Sequence, residues 1–212
     1  YGIKFAEKLG LSQVVLAREV SLDNIAKIRK KSNMLLECFG HGALCTAYSG
    51  QCLMSSMMGG RSGNRGQCVQ PCRMKYKLLD AQGKQVKTEG EHVLSTKDLC
   101  TINFLDKMAH SGLNAVKLEG RMKRPEYVAI VTGEYRRQLN YQNGDITNLT
   151  RSFNRGFTEG YYLKKPGSHL MSRLRPDNQG MFIGYVQKAK VAPKTLQLKL
   201  NHPLSVGDGF DV

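Results

Sequence analysis

The stretch NAVKLEGRMKRPEYVAIVTGEYRRQL, residues 114–139, decides the fold class of this chain. It begins with the short β-rich run Ala115–Leu118, and Pro125 then suits the first turn of a helix, where its missing N–H is not needed. Apolar side chains recur along one face of that helix, at Val128, Val131, Tyr135 and Leu139. A strand that leads directly into an amphipathic helix is the repeating unit of α/β proteins.

The same alternation runs through the preceding residues. Gln13–Ala17 and Leu35–Phe39 are predicted strands, and Ser21–Lys31 is a predicted helix that Ser21 caps. A further helix is predicted over Thr96–His110. Strands that alternate with helices favour a parallel sheet with crossover helices.

These patterns divide the chain into three segments. Residues 1–142 carry the alternation, residues 143–179 are predicted to form a linker and connecting segment, and residues 180–212 are predicted to begin a small β domain. The chain lacks an initiator Met and ends in an unfinished strand, so we expect it to be a fragment of a longer protein.

The composition is that of a globular and strongly basic protein. Its 212 residues include 32 Lys and Arg against 17 Asp and Glu, a formal net charge of +15. Such a charge favours association with polyanions, of which nucleic acid is the commonest, although a basic surface can also serve solubility alone. No apolar run approaches the ~18 residues that cross a bilayer, so we expect no membrane partner.

A long loop, residues 40–75, contains four cysteines in the pattern C-x6-C-x15-C-x3-C: Cys45, Cys52, Cys68 and Cys72. Four thiolates in one irregular segment can wrap a metal ion or an iron–sulfur cluster. A structural zinc site usually has closely spaced cysteines in pairs, and only the last two approach that spacing. The spacing therefore leaves three interpretations of these cysteines: ligands of a 4Fe–4S cluster, ligands of a zinc ion, or ordinary thiols or disulfides. Cys38 and Cys100 are predicted to be small core residues.

Six stretches of the chain carry a family resemblance. They are ECFGHGALC (37–45), YSGQCLMS (48–55), GRSGNRGQCVQPCR (60–73), LSTKDL (94–99), VKLEGRMK (116–123) and RGFTEGY (155–161). Over residues 11–165 the chain resembles the collagenase-like peptidases, the U-thirty-two family. The resemblance implies an α/β fold that consists of the C-terminal portion of a TIM-type barrel, followed by a small β-barrel-like domain.

The resemblance also implies a function. Better-understood relatives are cytoplasmic iron–sulfur proteins that help to hydroxylate bases of tRNA or ribosomal RNA, with prephenate as a small carboxylate cosubstrate. It implies that the four loop cysteines ligate a 4Fe–4S cluster, with Cys100 as a possible substitute for one of them. The leading hypothesis is an RNA-base hydroxylation protein, or a subunit that works with a protein partner. A collagenase-like peptidase, and a non-catalytic RNA-binding module whose cysteines hold a structural metal such as zinc, are the alternatives.

Polar residues after predicted strands are candidates for chemistry, because active sites of such barrels lie at the carboxyl ends of strands. Arg121, with Lys123, is predicted to hold a carboxylate or a phosphate, and Glu119 to orient them or to act as a base. A structural ion pair between Glu119 and Arg121 is the alternative. His41 is the candidate base for Cys45 in a peptidase.

Three arginines flank the loop cysteines: Arg61, Arg65 and Arg73. They are predicted to bind RNA phosphates, because a guanidinium group pairs well with phosphate oxygens. A solvated basic loop without a ligand is the alternative.

Overall fold

The structure is a computed structural model that describes residues 1–163, 167–190 and 192–212. The chain divides into two compact units, Tyr1–Gln179 and Gly180–Val212. The helices are α1 (Gly2–Lys8), α2 (Leu22–Arg29), α3 (Met54–Gly59), α4 (Leu105–His110), α5 (Pro125–Tyr141) and α6 (Ile146–Ser152). The strands are β1 (Gln13–Val15), β2 (Leu35–Ala43), β3 (Asp98–Cys100), β4 (Ala115–Leu118), β5 (Phe157–Thr158), β6 (Gly184–Lys190) and β7 (Thr195–Leu200).

The first unit is built around β2. Strands β1 and β4 both pair with β2 in parallel, and Glu37 lies opposite Val15 on one side and Ala115 on the other. The end of β2 also pairs with β3, but antiparallel, and β5 pairs with β3 in parallel. The predicted α/β class with parallel strands is therefore confirmed for this unit, whose sheet is mixed.

The helices cover this sheet with the apolar faces that their sequences indicate. The hydroxyl of Ser21 accepts the Asn24 N–H at 3.4 Å and caps α2 as predicted. Helix α5 buries the row Tyr127, Val131 and Tyr135 against the sheet, whereas the predicted face residues Val128 and Leu139 are exposed. The buried row is spaced by four residues and so lies on one side of the helix.

Two predicted segments differ in the structure. Helix Thr96–His110 was expected, but Asp98–Cys100 is a strand and α4 begins only at Leu105. Asp98 and its neighbours are buried on both faces, and a strand between β2 and β5 supplies backbone partners there. Residues 143–179, expected to be a linker, contain α6 and β5 and belong to the first unit.

The second unit is a two-stranded antiparallel sheet in which Gly184 pairs with Leu200 and Lys190 with Thr195. Within the part of the chain that the structure describes, no helix is long and apolar enough to cross a membrane.

Candidate functional site

The four loop cysteines gather around Cys72 after the end of β2. All four are free thiols; Cys68 is exposed and the other three are half-buried. Burial raises the pKa of Cys72, the positive charge of Arg73 opposes that rise, and the thiols of Cys45, Cys68 and Cys52 add to it. The four sulfur atoms are therefore within electrostatic reach of one another, although 15 residues separate two of them in the chain.

Local hydrogen bonds fold residues 45–72, the cysteine segment, back on themselves. The Val69 N–H donates to the buried hydroxyl of Ser55 at 3.1 Å, and the Asn64 side chain donates to Gly50 O at 2.9 Å. These bonds bring the residues beside Cys68 toward those that follow Cys52. The long C-x15-C interval is thus a closed loop.

Four free thiols in one segment are a donor set that either a 4Fe–4S cluster or a zinc ion would take. Among the described residues, no three His, Cys, Asp or Glu side chains are placed to hold one ion. The Gln70 N–H donates to Cys68 Sγ at 3.3 Å, a bond of the kind that stabilises cluster sulfur atoms.

Arg73 points into the protein. Its Nη1 donates to Ser95 Oγ at 2.7 Å and to Thr96 O, and its Nη2 donates to Thr96 Oγ1 at 3.2 Å. A guanidinium group held in this way is not presented to an RNA backbone, so the predicted phosphate contact does not fit Arg73. Arg61 and Arg65 are exposed, as that role requires.

Glu119 and Arg121 lie beside this segment, and their side chains do not form the ion pair that was the alternative interpretation. The Arg121 backbone N–H donates to Glu119 Oε1 at 3.0 Å, and the Arg121 side chain donates to Gly66 O at 2.6 Å. Arg121 therefore connects the end of β4 to the cysteine segment. Glu119 packs closely on Gly42, where a Cβ would lie 2.9 Å from the Glu119 Cβ.

His41 is buried in β2, with 1% of its surface exposed. The Tyr135 hydroxyl donates to Gly40 O at 2.8 Å and accepts the Thr101 N–H at 2.9 Å. The same hydroxyl lies 3.4 Å from His41 Nδ1 and 3.4 Å from Thr101 Oγ1. His41 Nε2 is buried and has no hydrogen-bond partner among the described residues. Burial lowers the pKa of His41 to about 4, so the ring is neutral at pH 7.

This placement does not support a nucleophile–base pair with Cys45. His41 Nδ1 faces the Tyr135 hydroxyl and Nε2 has no hydrogen-bond partner among the described residues, so neither ring nitrogen is bonded to Cys45. The side chains that surround His41 are aromatic: Tyr127, Tyr135 and Phe157 have ring centroids 5.5 to 6.1 Å away.

Asp98 and Arg155 form a buried ion pair that the sequence analysis did not single out. The Arg155 Nη2 donates to Asp98 Oδ1 at 2.8 Å and its Nε donates to the same atom at 3.1 Å. Both residues occur in stretches that carry the family resemblance, LSTKDL and RGFTEGY, and this was the available signal.

Lys123 lies close to this pair. Its ammonium group stands over the rings of Tyr127 and Phe153. Burial lowers the pKa of Lys123 to about 8, and the positive charge of Arg155 acts in the same direction. The site therefore combines four thiols, one buried neutral imidazole and a partly desolvated ammonium group at the carboxyl ends of β2 and β4.

Comparison with known proteins defines the family. The model of peptidase family U32 matches residues 1–172, so the chain belongs to this family, as the sequence resemblance predicted. A 23S rRNA 5-hydroxycytidine synthase of Escherichia coli is 37% identical over 99% of this chain and 34% of its own length. No solved structure matches.

Two further relatives carry different names. The tRNA hydroxylation protein P1 of Bacillus subtilis is 40% identical over 69% of this chain and 36% of its own length. A collagenase of Porphyromonas gingivalis is 38% identical over 71% of this chain and 42% of its own length. The chain spans about a third to two fifths of the length of these relatives.

Proposed function

We propose that the full-length protein acts in the hydroxylation of a pyrimidine base in tRNA or ribosomal RNA. One observation carries this proposal: nearly the whole chain, including the four-cysteine segment, matches a relative named for 5-hydroxycytidine synthesis in 23S rRNA. A second relative is named for tRNA hydroxylation. RNA is accordingly the proposed partner, and we propose a cytoplasmic location.

Cys45, Cys52, Cys68 and Cys72 would hold a 4Fe–4S cluster in this proposal. The cluster, when bound, supplies one-electron transfer. The proximity of the three other loop thiols to Cys72 supports this assignment. The Cys100 thiol is buried in the core, 4.0 Å from the Tyr135 hydroxyl. Because it lies in the core, it is a weaker candidate for a cluster ligand than the four loop cysteines.

The charge distribution supports the RNA part of the proposal. The net charge is +15, and the exposed Arg61 and Arg65 lie in the same segment as the cysteines. These two guanidinium groups would bind backbone phosphates and present a base to the site.

A small carboxylate such as prephenate is the proposed cosubstrate. Lys123 supports it, since this partly buried ammonium group has no ion pair with any described Asp or Glu. Arg121 is the second candidate, although its side chain is bound to Gly66 O. The unpartnered Nε2 of His41 would offer a polar contact, and Glu119 would be the neighbouring carboxylate.

The architecture of the full-length protein is part of the same proposal. Parallel β1, β2 and β4, with α2 after β1 and α5 after β4, are arranged like successive strands of a TIM-type barrel. The remaining barrel strands, the rest of a small β-barrel and any protein partner subunit would lie outside this chain.

A peptidase is the second candidate, because a collagenase is among the relatives. Its chemistry would need a base beside a nucleophile or a metal-bound water. The buried His41, bound to Tyr135 rather than to Cys45, does not support that mechanism.

The test is the nucleoside composition of RNA from cells that lack the full-length protein. We expect one pyrimidine to be lighter by one oxygen atom, and wild-type protein to restore it. Replacement of each of the four cysteines by Ser should abolish restoration and remove iron and sulfide, whereas Cys38→Ser should do neither. Unchanged nucleosides together with metal-independent peptide cleavage would show that the peptidase hypothesis is correct, and a colourless protein with one bound zinc would favour a structural metal.

A further inference from the structure

Arg73 lies where the two ends of the cysteine segment meet. In addition to its bonds with Ser95 and Thr96, its Nη2 donates to Leu44 O at 3.3 Å. Leu44 directly precedes Cys45, and Arg73 directly follows Cys72. This single side chain therefore joins the residues that begin and end the segment.

The guanidinium group has no carboxylate partner. Its hydrogen-bond acceptors are hydroxyl and carbonyl oxygens, and no ion pair connects Arg73 to any Asp or Glu that the structure describes. The nearby Asp98 is committed to Arg155 by a buried bidentate contact. Burial of a cation without a counter-charge is costly, so the position of Arg73 calls for a negative charge close by.

The thiols are the groups that can supply this charge. Arg73 adjoins Cys72 in the chain, and its bond to Leu44 O places the guanidinium group beside the backbone that leads into Cys45. Both cysteines belong to the proposed cluster site. In a thiolate-ligated cluster both would be anionic.

We propose that Arg73 is the positioning residue that supplies the counter-charge of the four-cysteine site. The inference rests on the proposed function, because the anion that Arg73 balances is the cluster with its thiolate ligands. A nearby cation stabilises the state that has gained an electron, so Arg73 would raise the reduction potential of the cluster. Through its bonds to Leu44 O and Thr96 Oγ1 it would also fix the backbone next to Cys45 and Cys72.

The test is a redox titration of the full-length protein with dithionite and mediators, followed by absorption and electron paramagnetic resonance. Arg73→Gln removes the charge and should lower the equilibrium constant for one-electron reduction at least tenfold, which corresponds to about 59 mV. Arg73→Lys retains the charge and should stay within threefold of wild type. Arg61→Gln makes the same change of net charge at an exposed position of the same segment and is the matched control.

The outcomes separate this inference from the proposed function. A cluster present in Arg73→Gln at the wild-type potential, or a shift no larger than that of Arg61→Gln, would overturn the role of Arg73 and leave the proposed function standing. A wild-type protein that binds no cluster would overturn both. If Arg73→Gln loses its cluster, the iron and sulfide contents of the two Arg73 variants are compared. A cluster retained in Arg73→Lys supports the inference, and an equal loss in both variants overturns it.

Discussion

The buried pair of Asp98 and Arg155 allows a prediction about folding that can be worked out from the structure. Asp98 lies in β3 and Arg155 lies two residues before the short β5, so the pair joins two neighbouring strands. The Arg155 backbone N–H also donates to Asp98 Oδ2 at 3.0 Å. Both side chains are almost fully buried, with 4% and 6% exposure. The perturbation is Asp98→Asn, which keeps the size of the side chain and removes its charge.

The expected loss follows from the charge that stays behind. Removal of one partner of a buried pair leaves an uncompensated cation and costs about 3–5 kcal/mol in the free energy of unfolding. In a protein of this size that loss lowers Tm by roughly 6–20 °C. Replacement of both partners, in Asp98→Leu with Arg155→Met, removes both desolvation costs and should destabilise much less than the single change.

Urea denaturation followed by circular dichroism measures the free energy of unfolding, and thermal denaturation measures Tm. The matched control is Glu91→Gln, which breaks the exposed contact with Lys75 and should not change the midpoint measurably. A loss below 1 kcal/mol for Asp98→Asn, or a double variant as unstable as the single one, would refute the assignment of a dominant buried charge.

Three further predictions concern the site. Because the pKa of His41 is lowered from 6.5 to about 4, the unfolded state binds more protons between these values, and the free energy of unfolding should fall by about 2 kcal/mol from pH 7 to pH 5. In urea titrations at both pH values, His41→Phe should reduce this pH dependence. The same pH dependence in His41→Phe as in wild type would contradict the prediction. Arg61→Ala and Arg65→Ala should each reduce the slope of log RNA affinity against log salt concentration by about one, measured by fluorescence anisotropy. A slope equal to that of wild type would show that these arginines belong to a solvated loop that binds no RNA. Lys123→Gln should lower RNA hydroxylation at limiting carboxylate cosubstrate about tenfold to a hundredfold while iron content stays constant; equal activity at all cosubstrate concentrations would exclude Lys123 from that contact.

Much of the fold was predictable from local patterns. Ser21 caps α2, Pro125 begins α5, and the strand at 115–118 has the predicted bounds. Each of these elements has a strong signal in neighbouring residues, either a cap, a helix-compatible proline or a β-rich run. Family membership was also predictable, because the motifs are contiguous in sequence.

The segment around Asp98 shows where local patterns fail. The apolar positions 99, 102, 105 and 109 fit one face of a helix, yet residues 98–100 form a strand. The spacing was compatible with both structures, and the decision came from β2 and β5, which offer backbone partners on both sides. Local propensity is weaker than such tertiary hydrogen bonding.

Which chemical groups this protein has follows from its amino-acid sequence alone: four cysteines in one loop, an excess of 15 positive charges, and alternating strands and helices. How these groups are used depends on the packing of the folded chain. It turned Arg73 inward between Leu44 and Thr96, placed Arg121 on Gly66, and enclosed His41 beside Tyr135. The physical reason is that residue type and spacing define a side chain's charge and donors, whereas burial and partners distant in sequence determine its direction, its protonation and what it can bind.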